Sequence, residues 1–266
     1  MNIIVCIKQV PGTTDVRIDP ETNTLIRVGI SSIISPFDMY AIEEALRIKE
    51  NFGGKTIVIS MGPPQCIDAL KEAVGMGVDE AIQISDRAFA GSDSWATAYT
   101  LSLAIKKLGE FDLILCGKQA TDGDTGQVGP GIASQLGITQ LTYIFKIKAL
   151  EPETGRITVE RLVEEGREIV EAKLPALLTV VKDINKPRAA SLYHIHRAST
   201  LVIPDWTAAD LPGVDLSKLG LKGSPTQVVK TFSPPRREGV LDLIQADSVD
   251  QATALLANKI IAEKVL

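Results

Sequence analysis

Residues 111–131 read FDLILCGKQATDGDTGQVGPG, a short apolar run followed by a glycine-rich loop that carries two acids, Asp122 and Asp124. The apolar run predicts a buried strand. Residues 131–138, GIASQLGI, follow the loop with a composition that a helix tolerates. A strand that leads through a loop into a helix is the building unit of α/β folds. This stretch therefore indicates the fold class of the whole chain.

The same unit recurs along the first half of the sequence. Apolar runs rich in Val and Ile, bounded by Gly, Pro or Asp, alternate with helical patterns. The runs lie at about residues 2–7, 55–61, 80–84 and 111–116, and the helical patterns at 36–54, 63–77 and 92–109. Strands separated by helices predict an α/β fold with a mostly parallel, Rossmann-like sheet and helices on both faces.

The pattern changes after residue 140. Three segments at 142–150, 155–174 and 175–184 resemble consecutive strands, which predicts an antiparallel extension. Residues 184–200, INKPRAASLYHIHRAST, are polar and irregular, so they are either a surface connector or a docking loop with Leu192 as its apolar anchor. The end of the chain returns to helical spacing, with Ser248 as the expected N-cap. We expect domains at 1–183, 184–200 and 201–266, the last being a C-terminal arm with a helix.

Composition excludes several classes of protein. The chain has 266 residues, 45% of them hydrophobic, and a net charge of -5, which argues against disorder and against nucleic acid or an anionic membrane as partner. Its three cysteines form no CxxC, so no disulfide framework and no zinc or iron–sulfur site is predicted. The apolar run in the first residues, MNIIVCIKQVPG, is too short for a signal sequence or a membrane span. We therefore expect a cytoplasmic protein.

Two histidines are candidate metal ligands. His194 and His196 form H-x-H, which would face one side if the segment were a strand. Because no companion cluster of ligands is evident, a surface contact is the favoured role and no metal site is predicted.

Five segments fall at the carboxyl ends of predicted strands, where ligands of parallel sheets bind. They are KQVPG (8–12), SPFD (35–38), SMGPP (60–64), SDRAFAGSDS (85–94) and the glycine-rich loop. Topology predicts that they meet in one crevice. In SPFD, Pro36 and Asp38 either open a helix or contact a nucleotide, and the sequence does not separate these roles.

The glycine-rich loop is the candidate phosphate site. Gly123, Gly126, Gly129 and Gly131 would allow positive φ and close approach of the backbone, and Asp124 or Thr125 would cap the next helix. Free N–H groups at that helix start favour a phosphate. Asp122 and Asp124 are expected to bond loop amides or ribose hydroxyls. The alternative is a turn that binds nothing, since the loop is neither a P-loop nor GxGxxG.

Catalytic machinery is not evident. The chain has no G-x-S-x-G, and neither histidine has a predictable partner, so we nominate no catalytic residue. A stand-alone hydrolase or a nucleotide-responsive protein on the same fold stays an alternative. The pattern favours a carrier whose chemistry belongs to its cofactor.

Six blocks in order resemble the β subunit of electron-transfer flavoproteins. They are VCIKQVPGTTDVRID, SPFDMYAIEEALRIKE, SMGPPQCIDALKEAVGMGVDEAI, LILCGKQATDGDTGQVGPGIASQLG, KLPALLTVVKDINKPRAASL and SPPRREG. The resemblance implies a heterodimer with an α subunit, on which the C-terminal arm packs, and a flavin that shuttles electrons between dehydrogenases or ferredoxin and other acceptors.

The resemblance also implies site residues. A nucleotide would be surrounded by Cys6, Ser35, Pro36, Phe37, Asp38, Met61, Asp122, Gly123, Asp124, Thr125, Gly126, Gln127, Val128, Gly129, Pro130, Gly131, Ile132 and Ala133. A partner dehydrogenase would be bound by a recognition loop at about 184–198, through Pro187, Arg188, Leu192 and Tyr193.

Two branches of that family differ in the occupant of the crevice. Conventional members hold AMP there, whereas electron-bifurcating members hold a second FAD that takes hydride from NADH and passes one electron to ferredoxin or flavodoxin and one to the α-subunit FAD. DGDTGQVGP (122–130) resembles the bifurcating pattern, so FAD is expected, with AMP as the alternative.

The sequence also departs from the family. Ser35 stands where the family often has Asn, and SLYHIHRA (191–198) replaces a more basic loop. The partner is therefore left open between an acyl-CoA dehydrogenase and a flavin-dependent lactate dehydrogenase.

Overall fold

The computed structural model describes residues 1–12, 17–18, 25–26, 32–229, 239 and 241–263. Residues 13–16 and 19 of the first matching block and 233–238 of the last lie outside this part of the chain. The strands are β1 (Asn2–Cys6), β2 (Gln9–Pro11), β3 (Arg17–Ile18), β4 (Leu25–Ile26), β5 (Ser32–Ile34), β6 (Lys55–Met61), β7 (Glu80–Ile84), β8 (Leu113–Gly117), β9 (Thr139–Glu151), β10 (Arg156–Val163), β11 (Gly166–Lys173), β12 (Ala176–Val180) and β13 (Asp205–Trp206). The helices are α1 (Pro36–Phe52), α2 (Ile67–Met76), α3 (Ser94–Leu108), α4 (Val128–Leu136), α5 (Leu192–Thr200), α6 (Gly220–Gly223) and α7 (Val249–Ala262).

The central sheet has nine strands in the order β11-β10-β9-β12-β8-β1-β6-β7-β13. Neighbours from β9 through β12, β8, β1, β6 and β7 to β13 pair in parallel, while β10 and β11 are antiparallel. Short antiparallel pairs, β2 with β5 and β3 with β4, lie outside this sheet. The predicted α/β class and mostly parallel sheet are confirmed.

The extension after residue 140 differs from the expectation in one respect. Residues 175–184 were expected in an antiparallel extension, but β12 lies between β8 and β9 and is parallel to both. The reason is that β12 is buried along its whole length, which requires neighbours on both sides and layers on both faces. Only the second half of β9, with β10 and β11, forms the antiparallel part.

Helices cover the two faces of the sheet. Alternate residues of β1 point to opposite faces, so that Val5 packs with apolar residues of α1 and α2, whereas Ile4 packs with α3 and α4. Each face therefore has its own apolar cluster. The carboxyl ends of the strands then meet the amino ends of α1, α3 and α4 at one edge.

Local signals explain where the helices begin. Asp93 caps α3, accepting from the N–H groups of Trp95 and Ala96 at 3.0 Å. The predicted cap of the last helix is confirmed, since Ser248 Oγ accepts from Gln251 N at 3.3 Å. Helix α4 begins at Val128, earlier than residue 131, so part of the glycine-rich loop is helical.

The chain divides into two compact units, residues 1–230 and 231–266. Unit 1 contains the sheet and α1–α6, and unit 2 contains α7. Residues 184–200 lie within unit 1. Their predicted role in recognition, and the packing of the C-terminal arm on an α subunit, stay predictions.

Candidate functional site

A cavity of about 310 Å³ lies at the carboxyl ends of β1, β6 and β8. The amino ends of α3 and α4 and the glycine-rich loop complete its wall. Each of the five segments predicted at strand ends contributes residues to the cavity lining. These residues are Lys8, Asp38, Met61, Ser92–Ser94 and those of the glycine-rich loop. The predicted convergence in one crevice is confirmed, because parallel strands end at the same edge.

Ten of the predicted nucleotide contacts line this cavity. They are Cys6, Asp38, Met61, Gly123, Asp124, Thr125, Gly126, Gln127, Val128 and Gly129. The remaining eight do not line it, namely Ser35, Pro36, Phe37, Asp122, Pro130, Gly131, Ile132 and Ala133. For Ile132 and Ala133 the reason is that they are fully buried in the apolar cluster beneath α4. Contact of any of these residues with a nucleotide stays a prediction.

The backbone of the loop offers donors to the cavity. Gly126, Val128 and Gly129 line it, and their N–H groups have no acceptor within the described part of the chain. Unpaired N–H groups at a helix start attract anions, since the helix dipole adds partial positive charge there. The arrangement is therefore suited to a phosphate.

The two loop acids differ from the expectation. Asp122 Oδ1 lies 2.7 Å from Lys8 Nζ, and Asp124 accepts from the side chain of Gln119. Within the described residues both carboxylates bond side chains, and neither accepts from a backbone N–H group of the loop. Binding of ribose stays a prediction. Neither Asp124 nor Thr125 caps α4, whose N-cap residue is Gln127 without a side-chain cap.

The loop glycines serve two purposes. Gly126 has φ +62°, which explains a glycine there. Gly129 and Gly131 instead allow close packing, because a Cβ atom would lie 2.6 Å from Thr179 Cγ2 and 2.8 Å from Ala98 Cβ, respectively. Gly123 has open space around it and no positive φ, so the structure gives no conformational reason for a glycine at that position.

Asp38 joins the strands at the base of the cavity. Its carboxylate accepts from Lys8 N at 2.8 Å and from Gly117 N at 2.9 Å. Burial raises the pKa of this carboxyl to about 7, against the opposing effects of these two bonds and of the Lys8 charge. Of the two roles left open for SPFD, Pro36 at the first position of α1 confirms the helix start, while Asp38 bonds the ends of β1 and β8.

Two thiols form part of the cavity floor. Cys6 and Cys116 are register partners on β1 and β8, and each is 7% exposed. The hydrogen bond between the Cys116 thiol and Cys6, together with burial, raises the pKa of Cys116 well above its ordinary value. A thiol held neutral is a poor nucleophile, so Cys116 contributes an apolar surface.

Several lining residues are not among the site residues predicted from the sequence. Lys8, Ser92, Asp93 and Ser94 lie in segments that it had placed at the crevice. Lys118 also lies in such a segment, the glycine-rich loop, whereas Thr97 and Leu101, one turn apart on α3, lie outside the predicted segments. Their signal is positional, because each lies near a strand end or a helix start at the same edge.

Comparison with known proteins identifies the family. Residues 22–211 match the model of the electron transfer flavoprotein domain. The chain is 55% identical over 235 residues, 88% of each chain, to the electron transfer flavoprotein subunit beta of Thermoanaerobacterium thermosaccharolyticum. The corresponding protein of Clostridium acetobutylicum is 48% identical over 260 residues, 98% of each chain. Subunit CarD of the caffeyl-CoA reductase-Etf complex of Acetobacterium woodii is 46% identical over 261 residues, 98% of each chain.

The chain belongs to the electron transfer flavoprotein family, as a β subunit. The resemblance inferred from the six blocks is thus confirmed at the level of the family and the subunit.

The predicted recognition loop of this flavoprotein subunit is a helix. Residues 184–200 were expected to be irregular, but Leu192–Thr200 form α5, which Ser191 caps by accepting from His194 N at 3.2 Å. Arg197 of α5 donates to Val78 O at 2.9 Å, beyond the end of α2. The helix therefore has tertiary support that its polar sequence does not reveal.

The four predicted partner contacts lie in or just before α5. Leu192 and Tyr193 are 87% and 73% exposed. Arg188, in contrast, bonds within the chain, with Nε 2.8 Å from Glu43 Oε2 and Nη2 3.1 Å from Glu50 Oε2. Pro187 precedes it and is half-buried. Binding of a partner by these four residues stays a prediction.

The histidines lie on this helix and not on a strand. Residues two apart on a helix do not face each other, so His194 and His196 do not form a paired ligand set. Among the described residues no group of three or more His, Cys, Asp or Glu side chains is arranged to hold a metal ion. Nor does that part of the flavoprotein subunit contain a helix long and apolar enough to cross a membrane.

Proposed function

We propose that this chain is the β subunit of an electron-bifurcating electron transfer flavoprotein, with FAD in the cavity and NADH as electron donor. A bound FAD would supply acceptance of hydride from NADH and single-electron delivery, to ferredoxin or flavodoxin and, through the FAD of an α subunit, to a flavin-dependent dehydrogenase. The chain's own part is to bind the nucleotide, to orient it and to dock the partners.

The observation that carries the proposal is the set of unpaired N–H groups of Gly126, Val128 and Gly129 at the cavity wall. They fit a phosphate of a nucleotide, and a neutral floor that includes Cys116 fits an apolar base. The loop sequence DGDTGQVGP, which resembles the bifurcating pattern, favours FAD over AMP.

The names of relatives support a dehydrogenase partner. The relative from Acetobacterium woodii is a subunit of a caffeyl-CoA reductase-Etf complex. By analogy, an acyl-CoA dehydrogenase is the partner proposed here, with a flavin-dependent lactate dehydrogenase as the alternative. The proposed contact is Leu192, whose side chain is 87% exposed on an ordered helix.

A conventional flavoprotein with structural AMP is the second candidate, and the size of the cavity favours it. A volume of about 310 Å³ lies at the low end for small-molecule sites. It suits a mononucleotide, so in the FAD proposal only the adenylate half lies inside and the flavin ring extends beyond the rim.

The deciding experiment is the cofactor content of the complex. The chain is co-expressed with its α subunit, the purified complex is denatured, and released FAD and AMP are quantified by chromatography. Two FAD and no AMP per heterodimer support the proposal, and NADH-dependent reduction of ferredoxin is then expected. One FAD with one AMP overturns it in favour of the conventional carrier.

A further inference from the structure

Lys118 has an unusual environment at the edge of the cavity. It follows Gly117 at the end of β8, and its N–H is held by Val180 O at 2.8 Å. Its ammonium lies 5.5 Å from the ring centroid of Phe37 and 5.4 Å from that of Tyr143. Both distances are within the range of cation–π attraction. The charge is thus held by two aromatic rings.

Lys118 also lacks a compensating acid. Within the described residues, its ammonium has neither an ion pair nor a hydrogen-bond acceptor, whereas Lys8, the other lysine of the cavity wall, is paired with Asp122. The acids that line the cavity are engaged elsewhere. Asp38 accepts from two backbone N–H groups, and Asp124 accepts from Gln119.

The third lining acid, Asp93, accepts hydrogen bonds from backbone N–H groups at the start of α3. It also accepts from Thr226 Oγ1 at 2.8 Å. The positive charge of Lys118 is therefore available to an anionic ligand in a way that the charge of Lys8 is not.

The backbone of Tyr143 is strained in the position that brings its ring to Lys118. Its φ is +58°, which is uncommon for a bulky residue, and its N–H donates to Thr179 Oγ1 at 3.1 Å. The residue lies at an irregularity in the pairing of β9 with β12. Such conformations cluster at binding and active sites.

The position of the Lys118 ammonium relative to the cavity suggests which anion it binds. Lys118 lines the cavity, but Tyr143 does not and is 42% exposed, so the ammonium lies at the rim. The N–H groups of Gly126, Val128 and Gly129, which have no acceptor within the described residues, suit one phosphate group inside the cavity. Because the cavity holds about one mononucleotide, any longer ligand must leave it past the rim.

We propose that Lys118, held between Phe37 and Tyr143, binds the second phosphate group of a dinucleotide and so determines preference for a diphosphate-containing ligand over a nucleoside monophosphate. The inference rests on the proposed function, in which FAD supplies that diphosphate. Phe37 and Tyr143 are positioning residues that act through the lysine.

The test compares ADP with AMP, which differ by that phosphate. The complex with the α subunit, freed of its nucleotide, is titrated calorimetrically with each ligand. We expect Lys118→Met to weaken ADP binding by about tenfold and AMP binding by less than about threefold, and Lys118→Arg to retain most of the ADP affinity. Lys106→Met is the matched control, because Lys106 is an exposed lysine in the last turn of α3, away from the cavity.

The positioning role has its own readout. Tyr143→Phe keeps the ring and should leave the ratio of ADP to AMP affinity unchanged, while Tyr143→Ala should lower it. The ratio within one variant is insensitive to a general loss of folded protein. Equal weakening of both nucleotides by Lys118→Met, or no weakening of either, overturns the inference.

The two proposals fail differently. AMP in place of FAD in the purified wild-type complex overturns the proposed function. The role of Lys118 is then decided separately, by the ratio of ADP to AMP affinity in Lys118→Met. FAD in the wild-type complex together with an unchanged ADP-to-AMP ratio in Lys118→Met supports the proposed function and overturns the role of Lys118.

Discussion

The carboxylate of Asp38 accepts a hydrogen bond from the backbone N–H of Gly117 at 2.9 Å, and this contact joins α1 to the end of β8. No side chain fits at position 117, because a Cβ atom would lie 2.4 Å from the same carboxylate oxygen. The second oxygen bonds Lys8 N. One buried acid therefore sets the spacing of the two strand ends from which the cavity wall is built.

The titration of Asp38 predicts how stability depends on pH. The unfolded chain releases this proton near the ordinary pKa of 3.8, whereas the folded chain holds it up to about pH 7. Between these values the folded state binds more protons, so the contribution of Asp38 to the free energy of unfolding falls as pH rises. Asp38→Asn should flatten that decline, measured by urea denaturation across this pH window.

Asp38→Asn should also be less stable at every pH. Asparagine offers one oxygen to the two N–H groups of Lys8 and Gly117, and an unpaired buried donor is unfavourable by about 1–3 kcal/mol. An equally steep decline in the variant would assign the pH dependence to other groups.

Gly129 tests the packing of α4 against the sheet. In Gly129→Ala the new methyl group would lie 2.6 Å from Thr179 Cγ2 and 3.4 Å from Leu177 Cδ2. Neither neighbour can retreat easily, because β12 is buried along its whole length. We expect a loss of about 1–3 kcal/mol in the free energy of unfolding, measured by denaturant titration.

Gly123→Ala is the matched control in the same loop. Nothing lies within 4 Å of the position of its Cβ atom, and its φ is not positive. The two variants make the same chemical change, so similar losses of stability would contradict the packing argument.

Leu192 tests the proposed docking helix. We predict that Leu192→Ala raises the KM of the dehydrogenase reaction for the complex by about tenfold, roughly 1.4 kcal/mol, because an exposed apolar anchor is lost. FAD and AMP content should not change, since Leu192 does not line the cavity. Steady-state electron transfer to the dehydrogenase measures the effect.

Leu216→Ala provides the comparison for that experiment. Leu216 is 64% exposed but lies on a different turn, Leu216–Lys218. The same truncation there should leave electron transfer unchanged. Unaltered transfer in Leu192→Ala would remove the docking role from that residue.

Sequence patterns predicted the features that depend on local order. The apolar runs of β1, β6, β7 and β8 and the start of α7 after Ser248 were predictable, because burial and N-capping depend on neighbouring residues. The crevice was predictable from topology alone.

Features that depend on distant contacts were not predictable. Helix α5 has nine mostly polar residues and is supported by Arg197, whose acceptors lie more than 100 positions away. The bond of Asp38 to Gly117 spans 79 positions, and the ammonium of Lys118 lies near rings from α1 and β9. No local pattern specifies such pairs, because the chain brings them together only on folding.

Arg188 illustrates this dependence and supplies the last prediction. Its guanidinium bonds Glu43 and Glu50 of α1, and the side chain of Glu43 is only 5% exposed. In Arg188→Ala the Glu43 carboxylate keeps, among the described residues, only Arg47 as a charged partner, at 3.2 Å. Because a buried charge is left partly uncompensated, we expect a loss of about 1–3 kcal/mol in the free energy of unfolding.

The comparison is Arg156→Ala, which breaks a solvent-exposed pair. Arg156 lies 3.2 Å from Glu171, with both side chains more than half exposed, and such pairs contribute less than about 1 kcal/mol. Denaturant titration of both variants should therefore separate them. Since residues 185–188 fix the chain just before α5, Arg188→Ala should also weaken electron transfer to the dehydrogenase, while Arg156→Ala should not. A stable Arg188→Ala variant with normal transfer would show that the position of α5 does not depend on Arg188.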